Sequence, residues 1–204
     1  MKITLTQEKR GEIERIQREF RQYLSPNEIL RGTTQAINGV MSRSIPKINK
    51  AIKSDYNITQ KYLSRMAVVS PKASMNALYA GIKINEQRLP MIAFRPKQKG
   101  SDISVAFHRG KNEVFRNSFI AMMNSGHTGV FSRGKYIKGR GFVPGREKTA
   151  TGKTRITQLM GTSVFNMGIS NKVAQEVQQY MSNEAAARVH GILTNRVNKL
   201  TANK

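Results

Sequence analysis

Apolar residues recur at three- and four-residue steps at both ends of the chain, whereas the middle alternates or runs in short apolar blocks. From Thr6 to Leu24, the residues Ile13, Ile16, Phe20 and Leu24 form one stripe with charges elsewhere, which predicts an amphipathic helix. Glu14 and Arg18 add a favourable i,i+4 pair, and Glu8 and Glu12 a repulsive one. A helix this short is marginal alone, so its stripe requires a partner, and Ile13, Ile16, Phe20 and Leu24 are the expected assembly interface. Ser25-Pro26-Asn27-Glu28 then reads as a second start: Ser25 caps, Pro26 suits the first helical position, and Glu28 stands where a capping box needs it. Ile29, Thr33, Ala36, Ile37, Val40, Met41 and Ile45 keep helical spacing, and Ile48, Ile52 and Tyr56 resume it beyond Pro46. The pattern predicts a long helix, kinked or interrupted near Ser44. At the other end Ser170 or Asn171 caps a helix whose stripe is Val173, Val177, Tyr180, Met181, Ala185, Val189, Ile192, Val197 and Leu200, with Glu184 and Arg188 placed as an ion pair.

Between these ends the period falls to two. Asn57 breaks the second helix, Thr59 to Arg65 make a short helical turn, and Ala67-Val68-Val69 open the β region. Leu78 to Ile84 alternate as a half-buried strand, and Met91 to Phe94 and Ile103 to Phe107 read as two more, joined by a polar loop over 97–102. From Glu113 to Arg133, two apolar runs flank the turn cluster Asn124 to Gly129, predicting strand, turn and strand. The sum is an α+β fold: an antiparallel sheet of about five strands flanked by long N-terminal helices and a C-terminal helix. The expected organisation is an N-terminal helical arm over 1–56, a β-rich core over 57–169 and a C-terminal helix over 170–204, together one folded unit.

Charge changes this picture most. Thirty-five Lys and Arg stand against 12 acids in 204 residues, a net charge of +23, so nucleic acid or an acidic surface is the natural counterpart. The acids crowd the N-terminus at Glu8, Glu12, Glu14, Glu19 and Glu28. The cations concentrate in a loop over 133–155, where Arg133, Lys135, Lys138, Arg140, Arg146, Lys148, Lys153 and Arg155 face a single Glu147. Glycines are interleaved there, with Tyr136 and Phe142 as the aromatics. Such a segment has no core of its own and is longer than an ordinary connection, so it reads as a functional or disordered loop that contacts a partner or DNA.

Catalytic chemistry finds little support. Cysteine is absent, which excludes disulfides and thiolate sites. His108, His127 and His190 lie far apart without acids at metal-ligand spacing, and His127 in its Gly-rich turn suits hydrogen bonding better than catalysis. Gly139-Arg140-Gly141 and Gly145 to Thr149 brush against phosphate-loop patterns but lack the Walker spacing. No enzyme activity, no cofactor and no metal are expected. MKITLTQEKR has no apolar signal region and no run approaches membrane-spanning length, so an intracellular, soluble protein without membrane contact is expected.

Three pieces carry a resemblance. Phe119, Ala121 and Met122 followed by Ser125-Gly126-His127-Thr128-Gly129-Val130-Phe131 look like the central motif of the phage minor tail protein Z family. Arg95-Pro96-Lys97-Gln98-Lys99-Gly100 precedes a strand, as a similar segment does in that family. Ile156, Leu159, Gly161, Ser163 and Met167 resemble its motif before the last helix, although Thr162 and Phe165 stand where prolines are expected. The order of pieces matches from about Ala36 to Val189. The resemblance implies a structural tail-completion protein of long-tailed phages, made in the host cytoplasm and resident in the virion neck. It further implies a homo-oligomer, a hexameric ring, enabling head-tail joining beside a tail terminator and a head-tail connector or portal-side proteins, with DNA passing through the lumen. Composition alone favours a different class, a stand-alone nucleic-acid-binding protein using the 133–155 loop.

Overall fold

The computed structural model describes residues 7–64 and 66–202, with side chains from residue 10 onward; Thr6, Arg65 and the Glu8 side chain lie outside that range. Helix α1 (Gln7–Glu19) tightens into a 3-10 turn over Phe20–Gln22 and leads to α2 (Pro26–Asp55) and the single-turn α3 (Gln60–Leu63). Strands β1 (Ala67–Val69), β2 (Ile82–Ile84) and β3 (Arg88–Pro90) follow, and a 3-10 turn covers Met91–Phe94. Next come β4 (Lys97–Lys99), β5 (Asp102–Val105), β6 (Glu113–Phe115), β7 (Ser118–Met122), β8 (Thr128–Ile137), β9 (Gly141–Pro144), β10 (Ile156–Gln158) and β11 (Met160–Ser163). The short α4 (Val164–Gly168) and the long α5 (Asn171–Ala202) complete the order. The chain divides into two compact units, one holding α1, most of α2, β1, β2 and α5, the other holding α3, β3 to β11 and most of α4.

In the helical unit the stripe of α1 is covered by the chain itself. Ile13, Ile16, Phe20 and Leu24 are buried in one cluster with Ile29, Ala36, Ala185, Ala186, Val189 and Leu193, so α1 lies on α5. These four are core residues here, where the sequence pointed to an assembly interface; the partner that the short helix needs is α5, at about 1.5–3 kcal/mol per fully buried side chain. Helices α2 and α5 approach closely because Gly32 carries no side chain: a Cβ there would lie 2.6 Å from Leu193 Cδ2. Arg196 of α5 closes the contact, donating to Glu28 and to Gln35 Oε1 of α2.

Ser25 caps α2 as expected, its Oγ accepting the Glu28 N–H at 3.3 Å, although the Glu28 carboxylate turns to Arg31 and Arg196 and leaves the capping box half made. Ser25→Ala should therefore lower stability by about 1 kcal/mol in urea denaturation. A change within about 0.3 kcal/mol would mean the cap contributes nothing. Pro46 does not end α2. It withholds the amide that the Ser42 carbonyl would accept, and Ser44 Oγ bonds the Val40 carbonyl at 2.8 Å. Buried Val40, Met41, Ile48, Ala51 and Ile52 on both sides of it keep one face continuous, so packing overrides the missing bond. The α5 stripe is buried from Val173 to Val189 except for half-buried Tyr180, but Leu200 is exposed, and the chain buries Ala186 and Leu193 instead. Arg188 lies over Gly39 of α2, its Nε 3.2 Å from where a Cβ would stand.

The β region differs from one five-stranded sheet. It forms four antiparallel sheets of two to four strands: β1-β2, β3-β11, β4-β5-β6, and a fourth in which β8 pairs with β7, β9 and β10. The division occurs between β6 and β7, where Asn117 takes a φ of 51° and the chain leaves one sheet for the next. Lys97–Lys99, expected in a loop, pairs as a strand with Asp102–Ser104. Of Leu78 to Ile84 only the last three residues pair, because β1 offers only three partners and exposed Leu78 and Tyr79 precede the point of contact. Met91–Phe94 is helical rather than extended. The turn lets Met91, Ala93 and Phe94 all be buried, and a strand would have sent one of Ala93 and Phe94 to the opposite face.

Candidate functional site

The basic segment is not an irregular loop. Strand β8 spends its first half on β7, with Ser118 opposite Ser132 and Met122 opposite Thr128. Its second half outgrows β7 and pairs with β9, from Gly134 opposite Pro144 to Ile137 opposite Gly141. Lys138-Gly139-Arg140 make the turn, with Gly139 and Gly141 at φ values of 79° and 75°. Beyond β9 the chain folds back again: Lys148 bridges Thr154, Arg155 N–H donates to the Glu147 carbonyl, and Thr149 N–H to the Lys153 carbonyl. Two successive hairpins therefore replace the expected loop.

Pairing also separates the two chemistries that the sequence interleaves. Residues opposite one another share a face of the ribbon. Tyr136 stands opposite Phe142, and their rings meet edge to face with centroids 5.6 Å apart. The Tyr136 hydroxyl accepts the Met160 N–H at 2.7 Å, and the Arg88 guanidinium lies 5.8 Å from its ring centroid. This aromatic pair lines an open groove of about 1010 Å³ in the β-rich unit, with β6 along another side and Met91, Phe107, Leu159 and Gly161 among its lining residues. Arg133 and Lys135, three and one positions before Tyr136 in the alternation, belong to the opposite face together with Val143 and Ile156.

Of the eight cations, Arg133 and Lys135 lie in β8, Lys138 and Arg140 in the turn, and Arg146, Lys148, Lys153 and Arg155 in the returning hairpin. Seven are exposed and Lys135 is half-buried. Among the described residues, Lys135 alone of the eight has a carboxylate within ion-pair distance, Glu147 at 2.7 Å. Ile13, Ile16, Phe20 and Leu24 are not brought to this site; they belong to the helical unit.

The structure adds residues that the sequence did not mark. Arg88 donates to the Gly161 carbonyl at 2.9 Å, holding β11, and Arg116 and Asn117 line the groove without any motif to announce them. Val114 and Met122, counted as apolar strand positions, are 62% and 72% exposed. His127 hydrogen bonds through Nε2 to the Gln158 side-chain amide at 2.9 Å, which joins the β7–β8 turn to β10. Among the described residues no group of three or more His, Asp or Glu is placed to hold a metal ion, and no helix is long and apolar enough to cross a membrane.

Three segments singled out in the sequence now have structural roles. The central hairpin seats the basic ribbon, Arg95 turns the chain in a left-handed conformation before β4, and Gly161 lets β11 pass within van der Waals reach of Phe94 and Phe107. The β-rich unit thus carries a two-hairpin ribbon with eight cations, seven of them exposed. The chain matches the prophage minor tail protein Z (GPZ) family over residues 19–201, and it belongs to that family. Compared with curated proteins and with solved structures, it has no significant match in either. Membership gives the protein a structural role in a phage tail.

Proposed function

We propose that this protein is a tail-completion subunit that assembles as a homo-oligomeric ring of six at the head-proximal end of the tail and enables the head to join. The family match over residues 19–201 carries the reading. The neck position, the tail terminator and connector or portal-side partners, and contact with lumen DNA belong to the proposal. In it, the outward cations of the β8–β9 hairpin and of the returning 145–155 hairpin meet an anionic partner, since copies set in a ring would otherwise bring like charges together. This reading leaves the apolar stripe of α1, which packs on α5, out of the contact.

Purified protein mixed with tail tubes that lack it, imaged by electron microscopy, tests the reading. One end of each tube should gain added density, with six copies per end by mass, and such tubes should accept heads. Tubes whose ends stay bare at micromolar protein would overturn it.

A further inference from the structure

We propose that the cationic face of the β8–β9 ribbon and its returning hairpin is a contact for the phosphate backbone of duplex DNA, read without regard to sequence. The inference makes specific the DNA contact that the proposed function includes, and its test on the free chain does not require ring assembly. Four observations point to it. Seven of the eight cations have no carboxylate partner among the described residues, so they are held ready for an external anion. They run along the ribbon rather than in one cluster: Arg133 to the Lys138 tip spans five residues, about 17 Å of strand at ~3.4 Å each. Duplex DNA offers a phosphate charge about every 1.7 Å of its axis, so a row this long always finds partners.

The other two observations choose the kind of anion. Single-strand binders stack bases on aromatic side chains set among their cations. Here Tyr136 and Phe142 lie on the opposite face, and the Tyr136 hydroxyl is engaged by Met160. Protein interfaces are depleted in Lys and have an apolar centre. The two hairpins carry Lys135, Lys138, Lys148 and Lys153 alongside four Arg, and the apolar residues that share the face of Arg133 and Lys135, Val143 and Ile156, are separated along the ribbon. A cationic ribbon whose aromatic pair lies on the face away from Arg133 and Lys135 fits the outside of a duplex.

Fluorescence anisotropy of the full chain with a mixed-sequence 30-base-pair duplex, repeated from about 50 to 300 mM KCl, tests this. Log affinity should fall with log salt at a slope of about −4 to −6, close to −0.9 per phosphate contact. Changing Lys138, Arg140, Lys148 and Lys153 together to Gln should make the slope shallower by about 3.6. Arg18, Lys61, Lys83 and Lys111, exposed elsewhere, changed together to Gln remove the same net charge and should alter the slope by less than about 1. Equal loss in both variants would overturn the proposal, leaving only diffuse attraction to a basic protein. So would tighter binding of a thirty-residue oligothymidine, which would assign the face to single strands, or of polyglutamate, which would assign it to an acidic protein. The wild-type slope needs no variant, and a duplex that fails to bind at about 50 mM KCl overturns the proposal outright.

Discussion

Replacing Ile16 and Phe20 together by Ala should destabilise the helical unit by about 4–7 kcal/mol, the largest effect expected of any change at a residue first marked as a contact site. Each large-to-small change in a packed core removes transfer free energy and leaves a cavity, at about 2–5 kcal/mol for Ile and 3–5 for Phe. Both side chains are buried against α5, and the Phe20 ring also meets His190 edge to face with centroids 5.5 Å apart. The residues are one turn apart in a shared cluster, so the two losses are less than additive. Such a loss is comparable to the whole stability of many domains. Guanidinium titration followed by circular dichroism at 222 nm measures it. A loss below about 1 kcal/mol would show that α1 does not stay on α5 in solution, and the stripe would then be free for an intermolecular contact.

Gly134→Ala should open the basic ribbon. Gly134 has a φ of 148°, a conformation that side-chain-bearing residues hold only under about 1–3 kcal/mol of strain. A Cβ there would also stand 2.3 Å from the Val143 carbonyl oxygen and 2.9 Å from the Pro144 Cα. Those atoms are backbone and cannot swing aside, so the β8–β9 pairing must give way and the expected loss is about 3 kcal/mol or more. Gly139→Ala is the control. It has a φ of 79° but nothing within 4 Å of the added carbon, so it incurs only the conformational term of about 1–2 kcal/mol. Trypsin cleavage between Lys135 and Arg140, timed by mass spectrometry, should accelerate strongly in the first variant and slightly in the second. Equal cleavage rates in the two would mean that the ribbon is already open in solution.

The basic segment shows why part of the fold was hidden. Its glycines were legible as freedom, and freedom reads as a loop. In the structure Gly139 and Gly141 supply the left-handed turn of a hairpin, and Gly134 supplies a close approach that no side chain permits. Only the presence of β7 and β10 beside the first half of β8 gives the ribbon a base on which to form. The eight candidate contact residues were therefore legible as a charged group, but the placing of Arg133 and Lys135 on the face away from Tyr136 and Phe142 required the pairing register. The central hairpin was legible because its turn cluster and its flanking apolar runs agree at short range.

What the sequence determined by itself are the elements whose signals are local. The α1 stripe, the Ser25-Pro26 start of α2, the α5 face from Val173 to Val189 and the strand-turn-strand around Gly126 each follow from spacing within a few residues. The order of the motifs around that hairpin also pointed to the family to which the chain belongs. Tertiary structure alone decided where those faces go. An apolar stripe states that it must be covered but not by what, so α1 reads equally as interface or core until α5 is placed. Four apolar residues, Met91 to Phe94, fit strand and helix alike, and the demand to bury Met91, Ala93 and Phe94 together chose the turn. Pro46 weakens α2 locally, and the packing of residues far away in the chain keeps it whole. In each case the deciding free energy comes from contacts between segments distant in sequence, which no window along the chain contains.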